Sequence, residues 1–170
     1  MARAEYPPTH SMRADSTGPA DQVSLVEVRC AAAVVRGDQV LLIERPELHD
    51  WVLPGGRPRD RENMGSCARR EVREETGVDV NTTGCAFVLE VNDPIEHRRV
   101  VELIFRAECV DPAAELVGEP GRNPQWVTTA RLPYLQLRPQ IGGYLPDLIT
   151  GRGGMGRYIG NMWRPSRSGP

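Results

Sequence analysis

The segment from Asn63 to Gly77 constrains the fold more than any other, because its pattern predicts one amphipathic helix with defined ends. Asn63 is a favourable N-cap, and Gly77 suits the left-handed residue that follows a helix. Between them one stripe recurs at three- and four-residue steps, formed by Met64, Cys67, Ala68 and Val72. The sequence therefore predicts a helix of about three turns that packs on a sheet.

The predicted helix carries three glutamates on one face. Glu71, Glu74 and Glu75 stand at i, i+3 and i+4. They lie in its C-terminal half, where the helix dipole disfavours each anion by roughly 0.3–1 kcal/mol. Such a cluster calls for a compensating cation, and carboxylates suit Mg²⁺ or Mn²⁺. Arg70, four residues before Glu74, is placed to hold that carboxylate. Taken alone, the three glutamates fit a solvated acidic face as well as a metal site.

A longer pattern surrounds these glutamates. From Gly56 to Val78 the chain follows Gly-x5-Glu-x7-Arg-Glu-U-x-Glu-Glu-x-Gly-U, in which U is aliphatic. The matching residues are Gly56, Glu62, Arg70, Glu71, Val72, Glu74, Glu75, Gly77 and Val78. Seven of them are positions that require a single residue type, so chance agreement at a given start is on the order of one in 10⁸. The pattern resembles the signature of the Nudix hydrolase family.

The resemblance implies an activity and a set of residue roles. Members of this family bind a divalent cation and hydrolyse a diphosphate bond that links a nucleoside to another moiety. Carried over to this chain, the metal ligands are Glu71, Glu74, Glu75 and the carbonyl of Gly56. The implied cofactor is Mg²⁺, with Mn²⁺ as the alternative. Arg70 would orient the glutamates, and Glu62 would be the partner of Arg70.

The general base is a separate question. It is either one of the three glutamates or, as often in this family, a further acid in a later loop. Glu119 is the leading candidate, because it lies in the loop before the strand predicted at 125–127. Its rivals are Glu96, Glu102 and Glu115, and for each a solvated surface position fits as well. Three arginines after Gly56 either meet substrate phosphates or form a solvated loop, and the solvated loop is favoured: Arg57, Arg59 and Arg61.

Outside this region the patterns favour an α/β fold. The predicted strands cover residues 25–35, 39–43, 85–91, 100–105 and 125–127. A short helical turn is predicted at 129–132, ended by Pro133, and a second helix at 137–148, weakened by Gly142 and Gly143. This layout resembles the Nudix fold, a mixed β-sheet sandwiched between α-helices, and the domain is predicted to span residues 23–150.

Both ends of the chain are expected to lie outside that domain. Residues 1–22 are polar and rich in proline and glycine, which predicts a flexible N-terminal tail. Residues 151–170 form a Gly- and Arg-rich C-terminal tail that also contains Tyr158, Ile159 and Trp163. Two alternatives stay open for this tail, which is either disordered or packed on the domain.

Composition limits the partners and the compartment. The net charge of −2 gives no general attraction to nucleic acid or to membrane surfaces, and no apolar run is long enough to span a bilayer. The four cysteines show no Cys-x-x-Cys spacing, which is typical of reduced thiols in a cytoplasmic protein. A cytoplasmic protein without a membrane or nucleic-acid partner is therefore expected, and the family resemblance implies an enzyme with a small-molecule nucleotide substrate. The family resemblance leaves a homodimer possible.

The substrate is less defined than the chemistry. Pro94 falls sixteen residues after Val78, a spacing that resembles the branch acting on ADP-ribose, although Asp93-Pro94-Ile95 replaces the Ser-Pro-Gly expected there. ADP-ribose or a nucleotide sugar is the favoured substrate. The alternatives are a nucleoside triphosphate pyrophosphohydrolase of the sanitising type and a nucleotide-sensing Nudix module without turnover. An RNA-end pyrophosphohydrolase needs a basic surface stripe. The net charge argues against this alternative, but the arginine-rich C-terminus leaves it open.

Overall fold

The computed structural model describes residues 25–152 and 154–165, so the tail predicted at 1–22 lies outside the described residues. The strands are β1 (Val26–Arg36), β2 (Gln39–Arg45), β3 (Asp50–Val52), β4 (Gly55–Gly56), β5 (Val80–Asp93), β6 (Arg98–Cys109), β7 (Asn123–Thr128) and β8 (Arg157–Asn161). The helices are α1 (Met64–Thr76) and α2 (Leu145–Thr150), with 3₁₀ helices at Pro46–Leu48 and Thr129–Tyr134. All five predicted strands are confirmed, and most are longer than predicted.

The strands form one mixed sheet in the order β3-β2-β1-β6-β5-β8, with β4 paired to β1 and β7 paired to β2. β1 runs parallel to β6, and β5 runs parallel to β8. The other pairings are antiparallel. This arrangement, with helices on both faces, confirms the predicted α/β fold.

Strand β1 is buried on both faces, which explains its run of small residues. Ala31 and Ala33 face the core cluster that includes α2. The alternate residues Cys30, Ala32 and Val34 face the cluster formed with α1. Side chains of this size allow a helix to pack closely on each face of the strand.

Helix α1 has the ends that its sequence predicts. Ser66 N donates a hydrogen bond of 2.8 Å to the side-chain oxygen of Asn63, which confirms the N-cap. Gly77 follows the helix with φ of 75°, and its N–H donates to the Arg73 carbonyl at 3.0 Å. The Cys67, Ala68 and Val72 side chains of the predicted stripe are fully buried. Met64, the fourth predicted member, is exposed in the first turn, so α1 packs on the sheet from Cys67 onwards.

The prediction of a helix at 137–148 is wrong in its first part, because α2 begins only at Leu145. The backbone around Leu137 pairs with β3 instead: Trp51 N donates to Gln136 O at 2.9 Å, and Arg138 N donates to Trp51 O at 2.8 Å. Gly142 and Gly143 also disfavour a helix in between. The turn predicted to stop before Pro133 continues as a 3₁₀ helix to Tyr134.

The described part of the C-terminal segment adds the last strand. β8 pairs with β5, with Tyr158 opposite Val88, and Met162 N donates to Glu90 O at 2.8 Å. The Met162 side chain is buried in the cluster that includes α2. Residues 157–162 therefore cover an edge of β5 that would otherwise be open.

Helix length also bears on membrane association. α1 has 13 residues and α2 has six. Among the residues that the structure describes, neither helix has the length and apolar character needed to cross a bilayer.

Candidate active site

Gly56 of β4 lies directly against Glu71, the first glutamate of the acidic face. β4 pairs with β1, with Gly55 opposite Ala31 and Gly56 opposite Cys30. A Cβ built on Gly56 would lie 2.3–2.5 Å from the carboxylate atoms of Glu71. Only glycine therefore lets this carboxylate rest on the backbone.

Glu75 is the most buried of the three glutamates, with 5% of its surface exposed. Gly55 N donates to one of its carboxylate oxygens at 2.8 Å, and the Arg122 guanidinium donates to the other. Burial raises the pKa of Glu75, although the Gly55 hydrogen bond and the Arg122 charge act in the opposite direction. The carboxylate is thus fixed between the β4 backbone and an arginine from a later loop.

Arg70 holds the remaining carboxylates together. Its Nε donates to Glu62 at 2.9 Å, and its Nη1 donates to Glu71 at 2.7 Å and to Glu74 at 2.8 Å. Its Nη2 reaches the carbonyl of Arg57 at 3.1 Å. The Arg70 hydrogen bonds lower the pKa of Glu62 to about 2. One guanidinium therefore ties α1 to the segment that precedes it.

The three arginines after Gly56 are solvent-exposed, yet two of them contact acidic residues around the site. Arg59 donates to Glu74 at 2.9 Å, and Arg57 forms an ion pair with Glu27 of β1. Arg61 is paired loosely with the neighbouring Asp60, at 3.6 Å. Arg59 is thus the member of the group that reaches the acidic face of α1.

Glu119 lies in the loop before β7, as predicted, with 48% of its side chain exposed. Its carboxylate is 3.8 Å from Nε of Arg122, whose Nη1 binds Glu75. Arg122 therefore lies between Glu119 and the glutamates of α1. Sequence analysis missed this arginine, because nothing in the Gly121-Arg122-Asn123 turn indicates which distant carboxylate it meets.

The three rivals of Glu119 occupy different positions. Glu96 and Glu115 are exposed. Glu102 is not a surface residue, so the solvated alternative is wrong for it: 3% of its surface is exposed, and Arg29 Nε donates to it at 3.1 Å. Burial raises its pKa, against the opposing effect of Arg29.

The donor set fits a hard divalent cation. Carboxylate and carbonyl oxygens, the donors that Mg²⁺ and Mn²⁺ prefer, lie around β4 and the acidic face of α1. The glycine at position 56 also leaves room for the Glu71 carboxylate beside the backbone. Within residues 25–152 and 154–165, no three His, Cys, Asp or Glu side chains converge as a ready ligand group. Each of the three glutamates is instead bonded to an arginine.

Comparison with known proteins finds a family match and several relatives. A family model described as NUDIX domain matches residues 26–148. The chain is 32% identical over 129 residues to the NAD-capped RNA hydrolase NudC of Stutzerimonas stutzeri, a match that covers 70% of this chain and 42% of that protein. It is 34% identical over 92 residues to human diphosphoinositol polyphosphate phosphohydrolase 3-alpha, covering 54% of this chain and 56% of that protein. The chain thus spans about half the length of these curated relatives.

Solved structures of other proteins have a similar fold. A MutT NUDIX hydrolase from Burkholderia pseudomallei superimposes with a TM-score of 0.56 at 28% identity, covering 62% of this chain and 85% of that one. A UDP-X diphosphatase superimposes with a TM-score of 0.64 at 17% identity, covering 81% of this chain and 70% of that one. At that identity the second likeness concerns the fold alone.

Proposed function

The chain belongs to the NUDIX family and is a Nudix hydrolase, and from this premise we propose that it cleaves the diphosphate linkage of ADP-ribose or of a nucleotide sugar. The proposed cofactor is Mg²⁺, with Mn²⁺ as the alternative. One observation carries the proposal: Glu71, Glu74 and Glu75 are all present, two of them resting on the β4 backbone and two of them held by Arg70.

In this proposal the three glutamates and the Gly56 carbonyl hold the cation. A bound divalent cation neutralises the negative charge of a diphosphate and helps to align the attacking and leaving oxygens. Arg70 fixes the carboxylates of Glu71 and Glu74 before any ligand arrives, because one nitrogen of its rigid guanidinium donates to both. The bond from Gly55 N does the same for Glu75.

Glu119 is the proposed general base. Its carboxylate is half-exposed and therefore open to water, whereas Glu75 is buried and already carries two hydrogen bonds. Arg122 links the Glu119 loop to Glu75. A carboxylate in this position accepts the proton of the attacking water when the loop brings it within hydrogen-bond reach.

The names of the curated relatives help to choose substrates for the test. One name refers to NAD-capped RNA and the other to diphosphoinositol polyphosphates. The chain covers only part of each relative, so neither substrate is transferred directly. Both belong in a panel beside ADP-ribose, a UDP-sugar and a nucleoside triphosphate.

The decisive measurement is the identity of the first product. The panel is incubated with Mg²⁺ or with excess chelator, and monophosphate, pyrophosphate and orthophosphate are separated by ion-exchange chromatography. We expect a nucleoside monophosphate from ADP-ribose or the UDP-sugar, no product with chelator, and a rate that rises on the alkaline side, because the activated water attacks better once it is deprotonated.

Other products would point elsewhere. Pyrophosphate released only from the triphosphate would indicate a sanitising pyrophosphohydrolase. Nucleotide binding without any product would indicate a sensing module. Glu119→Gln provides a second check, because a general base that loses its carboxylate should lose kcat by roughly 100-fold or more. Glu115→Gln, an exposed carboxylate of the same loop region, is the matched control.

A further inference from the structure

A buried ion pair lies on the face of the sheet that packs against the core cluster containing α2. Arg29 of β1 and Glu102 of β6 are register partners in the parallel β1–β6 pair. Two residues further along, Ala31 and Ile104 are also register partners and belong to the core on that face. The core thus ends in a charged pair beside the residues of β1 that meet β4.

Core packing alone does not explain the carboxylate of Glu102. Its carboxylate is almost completely buried, and its hydrogen bond comes from Nε of Arg29, at 3.1 Å. Burying a carboxylate is unfavourable, and apolar residues of similar size often serve stability at least as well. A strand position inside a core is therefore an unusual place for this charge unless it orients its partner.

The geometry leaves the other end of Arg29 available. In the part of the chain that the structure describes, the hydrogen bond of the Arg29 side chain to protein uses Nε, and no protein acceptor meets its two terminal nitrogens. One third of the side chain (33%) is exposed. Arg98, on the same face, differs, because its Nε and Nη2 both donate to Glu27, at 2.8 and 3.0 Å.

The position of Arg29 connects it to the acidic site. Its chain neighbour Cys30 lies opposite Gly56, and Ala31 lies opposite Gly55, whose N–H binds Glu75. Arg29 therefore lies on β1 next to the residues that pair with β4, the strand whose backbone contacts Glu71 and Glu75.

We propose that Arg29 binds a phosphate group of the substrate through its two terminal nitrogens, and that buried Glu102 is the positioning residue that holds Arg29 by Nε. The inference rests on the proposed diphosphate chemistry. A guanidinium offers two parallel N–H groups whose spacing matches two phosphate oxygens, and fixing Nε removes much of the rotational freedom that binding would otherwise cost. Arg29 then supplies substrate affinity from β1, beside the strand that contacts the glutamates.

The test measures binding and turnover separately. Inorganic pyrophosphate binding is measured by calorimetry, and kcat and KM are measured for whichever panel substrate is cleaved. We expect Arg29→Lys to weaken pyrophosphate binding and raise KM by about 10- to 100-fold, with kcat changed much less. Because lysine keeps the charge but not the fork, the loss reports the bidentate contact.

Glu102 has its own prediction, which distinguishes positioning from general stability. Glu102→Leu removes the acceptor and should raise KM nearly as much as Arg29→Lys, whereas Glu102→Gln keeps an acceptor for Nε and should restore most of the affinity. The double variant Arg29→Gln, Glu102→Gln avoids an unpaired buried charge and should still show the loss of pyrophosphate binding. Thermal melting confirms that each variant is folded before its affinity is compared.

Arg99→Lys is the matched control, because it makes the same change at another arginine of the sheet. Arg99 lies on β6 near Glu102 but, by strand alternation, on the opposite face, where it pairs with Glu90 at 3.0 Å. If it weakens pyrophosphate binding as much as Arg29→Lys does, the effect is not specific to Arg29 and the inference is overturned. Unchanged pyrophosphate affinity and KM in Arg29→Lys, or no pyrophosphate binding by the wild-type protein, would also overturn it. Failure of the proposed function shows differently, as pyrophosphate binding that depends on Arg29 without hydrolysis of any panel substrate.

Discussion

At the residue scale, arginines determine where the carboxylates of the site point. Arg70 binds Glu62, Glu71 and Glu74, and Arg122 binds Glu75. From sequence alone the three glutamates of α1 look like mutually repelling charges that await a cation. In the structure each already has a cationic partner, so a metal ion must compete with these arginines or share the carboxylates with them.

The contact between Gly56 and Glu71 gives the first prediction. In Gly56→Ala the new Cβ would lie within 2.5 Å of the carboxylate, which must then move away from the backbone. A displacement of about 1 Å in a catalytic group can reduce activity by about 100-fold, and we expect at least that loss in kcat/KM. Gly143→Ala is the control, because a Cβ there meets nothing within 4 Å. Equal activity of the two variants would contradict the placement of Glu71.

The Arg70 network gives the second prediction. Arg70→Lys keeps the charge but cannot span Glu62, Glu71 and Glu74 from one rigid group. We expect kcat to fall roughly 10- to 100-fold, as for other residues that orient metal ligands, and Mn²⁺ affinity measured by calorimetry to fall as well. Arg69→Lys controls for the helix surface, since Arg69 donates to Ser66 of its own helix. Unchanged Mn²⁺ affinity in Arg70→Lys would show that the glutamates do not need this support.

At the element scale, α1 was predictable because its information is local. The cap, the apolar stripe and the terminal glycine all lie within residues 63–77. The helix expected at 137–148 was not, because the backbone around Leu137 takes its hydrogen bonds from Trp51, more than eighty residues earlier. Local propensity cannot reveal such a pairing. The same limit applies to Arg122 and Glu102, whose partners are distant in the chain.

The N-cap of α1 gives the third prediction. Asn63→Ala removes the acceptor for Ser66 N, which should lower the free energy of unfolding by about 1 kcal/mol. For a domain of this size that corresponds to a fall in Tm of about 2–4 °C. Asn63→Asp keeps a capping oxygen and should retain the wild-type Tm. Because the glutamates lie in the other half of the helix, kcat should be nearly unchanged; a large loss of kcat would mean that the first turn also positions the site.

At the scale of the whole molecule, the carboxylates fall into two groups with opposite effects on acid stability. Hydrogen bonds from arginines lower the pKa of Glu27 and of Glu62 to about 2. Burial raises the pKa of Glu75 and of Glu102 above the ordinary value of 4.5. The first group stabilises the fold above pH 4.5 and loses that contribution as the pH falls. The second group acts in reverse, since its contribution declines as the pH rises through the raised pKa.

Glu27 gives the fourth prediction, which tests how a carboxylate with a lowered pKa affects acid stability. It joins three elements of the domain and does not belong to the cluster on α1. Its carboxylate on β1 binds Arg98 of β6 and Arg57 of the segment after β4. We expect Glu27→Gln to be less stable than the wild type at pH 7, by a small margin because the group is partly exposed to solvent. That difference should shrink as the pH falls from 4.5 towards 2, where the wild-type carboxylate also becomes neutral. Urea unfolding at pH 7, 4.5 and 3 measures it, with Glu115→Gln as the control for loss of an exposed carboxylate outside this cluster. A stability difference that stays constant over this range would show that the ionised form of Glu27 does not hold these strands together.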